Sequence, residues 1–162
     1  GFVNIEGTIS SLTNVTMGMD PEATGRQNII FRLVFLGLTF KEANERLPEI
    51  TEFSGLGEFI NLPLRTYSSG MALRLAFAAS TCITPDILIL DEMIGAGDAA
   101  FQAKAKERID KTLSATKIMV LASHDLGLLN LYCNTGLWLE KGSVMARGSI
   151  DEVVAKYQAS LA

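Results

Sequence analysis

Ile87–Glu92 reads ILILDE, a run of four aliphatic residues that is followed at once by two carboxylates. A continuous apolar run is typical of a strand that is buried on both faces of a parallel sheet. Ile118–Ala122 (IMVLA) is a second such run, and the residues between the two, Ala99–Leu113, have helical spacing. This strand–helix–strand order predicts an α/β fold with a mainly parallel sheet flanked by helices.

The rest of the chain is predicted to add a block of helices and a hairpin. Phe2–Gly7 alternates apolar and polar residues, which predicts a strand. Thr24 with Gln27 three residues later has the spacing of a capping box and predicts the start of a helix. Pro48 is expected to limit or kink the amphipathic helix that contains it. Further helices are expected over 40–53, 71–83, 126–131 and 150–161, and the hairpin over 135–146.

Composition and charge exclude several classes of protein. The 162 residues are 48% hydrophobic and 20% charged, against roughly 25% charged in ordinary soluble domains, which excludes intrinsic disorder. A net charge of -4 lacks the basic field that nucleic-acid binders use, so no nucleic-acid partner is expected. The apolar stretch 126–139 is shorter than the roughly 20 residues that a membrane-spanning helix needs. Two cysteines are too few for a disulfide scaffold, and a reducing cytosolic setting is expected.

Asp91 and Glu92 form the first candidate site, because ligands of open parallel sheets bind beyond the carboxyl ends of the strands. An aspartate there can hold Mg²⁺, and a neighbouring carboxylate can orient or deprotonate a water that attacks a phosphate. Acidic residues also commonly end a strand without any such role, so this pair alone leaves both interpretations open.

A second candidate is Thr66–Met71 (TYSSGM), which places Ser68 or Ser69 at the cap of an otherwise apolar helix. Backbone N–H groups at a helix N-terminus, a hydroxyl and a glycine beside them let a phosphate approach closely. An ordinary serine cap has the same pattern and is much commoner. On its own this segment leaves the choice undecided.

The third candidate is His124, which closely follows the strand Ile118–Ala122 and is the only histidine of the chain. A single histidine cannot form a histidine-rich zinc site. The neighbours Ser123 and Asp125 do not make it a catalytic triad, because three consecutive side chains cannot converge on one centre. His124 is therefore expected either to bond a phosphate oxygen or a catalytic water, or to be an ordinary loop histidine.

In this order and spacing, these residues resemble the ATP-binding subunits of ABC transporters. Tyr67–Met71 is similar to a variant of the family's signature motif, and Ile87–Asp91 is similar to Walker B, with Glu92 in the place of the catalytic glutamate. Gly95–Asp98 is similar to the D-loop, and His124 to the switch histidine. The resemblance implies a P-loop NTPase fold, in which a helical subdomain accompanies a RecA-like sheet.

Three segments carry a narrower resemblance to the subunits that energise export of polysaccharide and polyol-phosphate precursors, such as O-antigen, capsule or teichoic acid. They are 21–28 (PEATGRQN), 68–77 (SSGMALRLAF) and 97–104 (GDAAFQAK). The resemblance covers essentially the whole chain.

Two features depart from the family pattern. None of the 14 glycines is followed by lysine, so the phosphate-gripping Walker A motif G-x-x-x-x-G-K-[ST] does not occur. Because the family carries that motif upstream, we expect the chain to be a partial nucleotide-binding domain. It would comprise a strand and Q-loop region (1–23), a helical subdomain with the signature helix (24–84), and the Walker B, D-loop, switch-histidine and closing hairpin-helix segment (85–162). No glutamine stands at the expected Q-loop, where Asn14 is the nearest polar candidate.

The resemblance implies an ATPase that uses ATP and Mg²⁺ and pairs head to tail with a second ATPase subunit. Asp91 would support Mg²⁺, Glu92 would polarise the attacking water, and His124 would sense the γ-phosphate. The residues implied to contact nucleotide or its dimer interface are Ser68, Ser69, Gly70, Met71, Asp98 and Asn14.

The same resemblance implies a transmembrane permease as partner, contacting the helical block around 28–40, and a location on the cytoplasmic face of the inner (plasma) membrane. Two alternatives stay open: a non-catalytic module or natural truncation that pairs with other ABC subunits, and a soluble ABC ATPase outside transport, which the acidic charge and exporter-like segments disfavour. Without the phosphate loop the isolated chain is expected to bind ATP weakly. With apolar strands uncovered, it is also expected to self-associate.

Overall fold

The computed structural model describes residues 2–12, 18–91 and 99–161. Its helices and strands, in chain order, are β1 (Ile9–Ser11), α1 (Gly25–Phe35), α2 (Phe40–Ser54), α3 (Ser69–Ser80), β2 (Ile87–Asp91), α4 (Ala99–Ala115), β3 (Ile118–Ala122), α5 (Leu126–Tyr132), β4 (Thr135–Glu140), β5 (Ser143–Ser149) and α6 (Ile150–Ser160). Two short 3₁₀ helices, Gly57–Asn61 and Leu64–Thr66, precede α3. The chain divides into two compact units. The first holds β1, β2 as far as Leu90, α1 to α4 and the start of β3. The second holds Asp91, the end of β3 from Leu121, α5, the β4–β5 hairpin and α6.

β1, β2 and β3 form one sheet in that order. β1 and β2 run parallel, with Ile9 opposite Ile87. The backbone N–H groups of Lys117 and Ile118 donate to the Asp86 carbonyl at 3.0 and 3.1 Å, so β3 starts beside the start of β2 and runs in the same direction. The predicted α/β fold with a parallel sheet is confirmed.

Asp86 fastens the amino ends of these three strands. Its carboxylate accepts hydrogen bonds from the backbone N–H and the hydroxyl of Thr8, both at 2.9 Å, and lies 2.7 Å from Nζ of Lys117. The hydrogen bond from Lys117, followed by those from Thr8, holds the pKa of Asp86 well below its ordinary value. A residue outside every predicted motif therefore helps to hold Thr8, and with it the start of β1, beside β2.

The prediction of a strand over Phe2–Gly7 is wrong. Residues 2–6 have no regular structure, and Phe2 is 90% exposed. An alternating pattern forms a strand only where a neighbouring strand is available for pairing. Here β1 pairs with the edge of β2, and β1 follows directly on Thr8, which Asp86 holds.

The pattern of a strand buried on both faces does not hold for β3, whose exposure agrees instead with the expectation that a partial domain leaves apolar strands uncovered. Leu88 and Leu90 of β2 are 2% exposed, whereas Ile118 and Val120 of β3 are 54% and 52% exposed. The outward side chains of β3 are not covered by any described part of the chain, which leaves aliphatic surface open to solvent.

α1, α2 and α3 form a helical block around one apolar core, as the sequence predicts for this region. Thr24 and Gln27 make the predicted capping box at the start of α1. α2 runs through Pro48 to Ser54, because its own capping box at Thr39 and the buried faces on both sides of the proline keep the helix intact. α3 ends at Ser80, three residues before the predicted end.

Three aromatic rings join α4 to this block. Phe53, Phe77 and Phe101 have ring centroids 5.7–6.2 Å apart. Arg108 of α4 lies over Phe53 with 4.0 Å between guanidinium and ring centroid, and its Nη2 is 2.6 Å from Oε1 of Glu49. Aromatic packing and one partly buried ion pair thus hold α2 against α4.

In the second unit the antiparallel β4–β5 hairpin packs one face on α6. Trp138 meets Tyr157 edge to face, with ring centroids 5.5 Å apart, and Gly136 leaves room for Ile150 and Val153. The other face of the hairpin carries aliphatic side chains that are 52–60% exposed, namely Leu137, Leu139, Val144 and Met145. Of the helices in the described part of the chain, none has the length and apolar character to span a membrane.

Candidate functional site

The signature-like segment forms the exposed N-terminus of α3. Ser68 is the cap residue, and its Oγ accepts the backbone N–H of Met71 at 3.2 Å. Ser68 and Ser69 are exposed, and the hydroxyl proton of Ser68 stays available for donation because capping uses only an oxygen lone pair. Helix geometry leaves the first-turn N–H groups of Ser69 and Gly70 outside the intrahelical ladder. Two hydroxyls and backbone donors therefore meet at the positive end of a 12-residue helix.

Gly70 is not required by contacts within the described chain. A Cβ built on it would meet nothing within 4 Å, and its backbone is not in the left-handed region. Gly70 is the second residue of α3, and neither its backbone conformation nor a contact within the described chain requires glycine there. Close approach of a ligand such as a phosphate is the reason that the location suggests.

Tyr67 links this helix start to the beginning of α1. Its Oη donates to the Phe59 carbonyl at 2.6 Å, and its backbone N–H donates to the Leu64 carbonyl at 3.0 Å. A Cβ on Gly25, the first residue of α1, would overlap the Tyr67 hydroxyl and lie 3.1 Å from the Ile60 carbonyl. Partial burial raises the pKa of Tyr67.

The chain segments on each side of this contact are joined by further hydrogen bonds. Backbone N–H groups of Leu64 and Arg65 donate to the carbonyls of Ala23 and Pro21, both at 2.9 Å. The Arg65 guanidinium adds an exposed ion pair, 3.0 Å from the carboxylate of Glu22. The segment before α1 and the segment before α3 are therefore held together.

Asn28, inside α1, completes the anchoring of the segment before α1. Its side chain is 1% exposed, its Nδ2 donates to the carbonyls of Asp20, Ala23 and Thr24 at 2.9–3.2 Å, and its Oδ1 accepts the Asp20 N–H at 2.7 Å. One buried amide thereby bonds the backbone of Asp20, Ala23 and Thr24 and gives the Asp20 N–H its partner.

Asp91, the Walker B-like aspartate, is the exposed last residue of β2. Its carboxylate is the kind of hard oxygen donor that Mg²⁺ binds, and one or two carboxylates with water and substrate phosphates make a usual magnesium site. Among residues 2–12, 18–91 and 99–161 there is no group of three or more side chains able to hold a metal ion by themselves. Asp91 therefore fits a magnesium ion that is shared with a nucleotide.

His124 is exposed in the turn between β3 and α5, and both neighbours have structural roles. Asp125 caps α5, accepting the N–H groups of Gly127 and Leu128 at 2.8 and 3.2 Å, and its own N–H donates to Ser123 Oγ at 3.0 Å. These bonds fit the expectation that Ser123, His124 and Asp125 do not act as a triad. Asp91 and His124 belong to the same compact unit.

Three candidate residues, Asn14, Glu92 and Asp98, lie outside the described residues. Sequence reasoning also missed Gly25 and Asn28 as supports of the signature-like segment. The signals for both were weak: a glycine directly after a helix cap, and one amide before an apolar run.

A cleft of about 390 Å³ between α2 and α4 lies apart from these candidates. It is lined by Phe53 and six charged residues, Glu49, Glu52, Lys104, Glu107, Arg108 and Lys111. Glu49 pairs with Arg108, and Glu107 pairs with Lys111 at 2.8 Å. Much of its charge is thus balanced internally, and none of the candidate residues lines it.

Solved structures with the same fold are ATP-binding cassettes. One, an ATP-binding subunit of an ABC transporter, has a TM-score of 0.72 at 21% identity and matches 93% of this chain and 62% of its own. Another, a dimeric ATP-binding cassette bound to ADP and Pi in a post-hydrolysis state, has a TM-score of 0.63 at 22% identity and matches 88% of this chain and 63% of its own. These similarities define the class of fold, that of the ABC ATPases.

Sequence relatives carry the assignment further, although no family model matches the chain. The O-antigen export ATP-binding protein RfbE of Yersinia enterocolitica is 46% identical over 89% of this chain and 60% of its own length. RfbB of Klebsiella pneumoniae, with the same role in its name, is 38% identical over 100% of this chain and 66% of its own length. The teichoic acids export ATP-binding protein TagH of Bacillus cereus is 37% identical over 99% of this chain and 29% of its own length.

The chain belongs to the family of ATP-binding subunits of ABC transporters. Its similarity is to members that serve O-antigen and teichoic acid export. It spans between 29% and 66% of the length of these curated relatives.

Proposed function

We propose that this chain is part of an ATP-hydrolysing subunit that energises export of a polysaccharide or polyol-phosphate precursor. The observation that carries the proposal is the N-terminus of α3, where exposed Ser68 and Ser69 stand beside a Gly70 with open space where its Cβ would be. Names of relatives supply the substrate class, since they refer to O-antigen and teichoic acid export.

In this proposal each residue group has a separate task. The signature segment 68–71 binds the phosphates of an ATP that is held by a second ATPase subunit, paired head to tail. Asp91 holds Mg²⁺, which when bound neutralises phosphate charge. Glu92 takes a proton from the attacking water, and His124 bonds the γ-phosphate. Asn14 and Asp98 line the Q-loop and the dimer interface.

The proposed membrane partner is a permease that contacts α1 and the turn after it. Phe35 and Phe40 are 75% and 63% exposed, and Phe31 is 42% exposed on the same side of α1 as Phe35. Exposed aromatic side chains of this kind are typical of a protein interface. The subunit would then lie on the cytoplasmic face of the inner (plasma) membrane.

The test uses a complete subunit that carries this chain, with its phosphate loop and permease in membrane vesicles, and measures phosphate release. Glu92→Gln is expected to lower turnover by about 10²–10⁴-fold, the usual contribution of a positioned general base. Glu140→Gln, the same change at an exposed hairpin residue, is the control and should leave turnover unchanged.

Two results would contradict the proposal. Wild-type turnover by Glu92→Gln would remove Glu92 from the base role. A complete wild-type subunit that captures the permease but releases no phosphate would support the alternative of a non-catalytic interaction module.

A further inference from the structure

Tyr67 stands directly before the cap residue of α3 and is held from two sides. Its hydroxyl is fixed on the Phe59 carbonyl at 2.6 Å, and the opposite wall of its site is the backbone of Gly25. Phe59 and Gly25 belong to different segments of the helical block. The Tyr67 backbone is held locally by Leu64, whereas the position of its side chain is set by contacts with Phe59 and Gly25.

Gly25 is a glycine because of this contact. It is buried at the first position of α1, and its backbone conformation is one that any residue adopts, so no turn requires glycine there. A Cβ would overlap the Tyr67 hydroxyl, and its next neighbours, Cδ1 and the carbonyl oxygen of Ile60, would be 3.1 Å away. Removing the hydroxyl from residue 67 would therefore relieve most of the overlap.

A shift of Tyr67 would be passed directly to the residues proposed to face the phosphate. Ser68 follows it directly, and the Ser68 hydroxyl and carbonyl accept the N–H groups of Met71 and Ala72 at 3.2 and 3.0 Å. A shift of Tyr67 thus changes the entry of the chain into α3 and with it the direction of the Ser68 and Ser69 hydroxyls.

We propose that Tyr67, seated against Gly25, is a positioning residue that sets the orientation of Ser68, Ser69 and Gly70 toward bound nucleotide. This inference rests on the proposed function. Packing alone does not require a tyrosine beside Gly25, because many other side chains could fill that space. The proposal gives a functional reason for the Gly25–Tyr67 contact.

The functional test measures kcat and KM for ATP in the complete subunit with its permease. Gly25→Ala is expected to lower kcat by roughly 10- to 100-fold, as displacements near 1 Å at a reacting site do. KM for ATP should change little, because in this proposal the subunit's own phosphate loop supplies most of the affinity. Tyr67→Leu, which creates no overlap, should also lower kcat and covers the case in which Gly25→Ala does not fold.

Rescue separates positioning from general loss of stability. The double variant Gly25→Ala with Tyr67→Phe should recover most of the lost kcat, while Tyr67→Phe alone should cost less than about fivefold, the effect of one hydrogen bond. Gly148→Ala is the matched control: its Cβ would lie 2.8 Å from Oε2 of Glu152, the mobile end of a side chain, and kcat should stay unchanged. A double variant as slow as Gly25→Ala overturns the proposal.

A second measurement on the 162-residue chain does not depend on catalysis. Backbone amide NMR shifts of Ser69, Gly70 and Met71 should move in Gly25→Ala and return toward wild-type values in the double variant. Unmoved shifts overturn the positioning role whatever the turnover. Absence of turnover in the unsubstituted complete subunit, with the shifts moving as expected, overturns the proposed function and leaves the positioning role standing.

Discussion

Asn28 offers a sharp test of how the segment before α1 is held. Its buried amide makes four hydrogen-bond contacts, three as donor through Nδ2 and one as acceptor through Oδ1. Asn28→Ala removes these bonds and leaves the Asp20 N–H without its partner, although the carbonyls of Asp20, Ala23 and Thr24 each keep a backbone N–H donor. Asn28→Asp keeps the shape but turns an acceptor oxygen toward the three carbonyl oxygens. The two variants therefore separate lost bonding from electrostatic repulsion.

The magnitudes follow from the bonding. The NH₂ group has only two hydrogens, which the three carbonyls share, so with the Oδ1 bond the amide makes at most three full hydrogen bonds. At about 1 kcal/mol for each neutral hydrogen bond, Asn28→Ala should cost about 3 kcal/mol of unfolding free energy. That corresponds to a melting temperature lower by roughly 6–12 °C for a chain of this size. In Asn28→Asp, burial beside carbonyl oxygens raises the pKa of the new carboxyl above about 3.9, its unfolded value. A raised folded-state pKa adds stability below the unfolded value and loses it as the pH rises through the folded value, so this variant is weakest at neutral pH.

Urea unfolding followed by circular dichroism measures both effects on the 162-residue chain. Between about pH 7 and about pH 4, Asn28→Asp should gain about 2 kcal/mol relative to Asn28→Ala, for a folded-state pKa raised to about 6. Asn44→Asp, the same change at an exposed residue with one side-chain bond, should show no such gain. Equal pH dependence of the Asn28→Asp and Asn28→Ala variants would refute the argument.

Three further predictions concern the sheet, the nucleotide and the exposed surface. The folded-state pKa of Asp86 is lowered, so the stability that its carboxylate contributes is present above the unfolded pKa near 3.8 and is lost as the pH falls below it. The difference in urea midpoint between wild type and Asp86→Asn should therefore shrink from about pH 7 to about pH 3. A constant difference would contradict this. Titration calorimetry of the 162-residue chain with Mg-ATP should show no micromolar binding, since a phosphate loop with its lysine supplies most of the contacts in such sites. Light scattering should show self-association that weakens when the exposed Leu139 and Val144 are changed to Thr, and a strictly monomeric wild-type profile would count against it.

Much of the local structure was predictable because it depends on residues three or four apart. The capping box of Thr24 and Gln27, the serine cap of α3 and the strand–helix–strand segment from Ile87 to Ala122 are all found where the pattern indicates. Asp91 and His124 stand at the predicted places at or just beyond the ends of β2 and β3. These features need only spacing and side-chain type.

The errors have a common physical cause. Phe2–Gly7 has the pattern of a strand, but β2 pairs with β1, whose start is held by Asp86, 78 residues from Thr8. The apolar run of β3 suggested burial on both faces, but burial depends on which elements cover a strand, and its outward side chains are exposed.

By itself the sequence determined the family and the order of elements, since motifs and short-range patterns carry that information, and it predicted which residues would face a phosphate. Only the tertiary structure decided that Gly25 and Tyr67 meet, that Asn28 ties down the segment before α1, and that Asp86 helps to hold the start of β1. Each of the contacts at Tyr67 and Asp86 joins residues far apart in the chain, and packing and hydrogen-bond satisfaction across such separations are settled only when the whole fold is assembled.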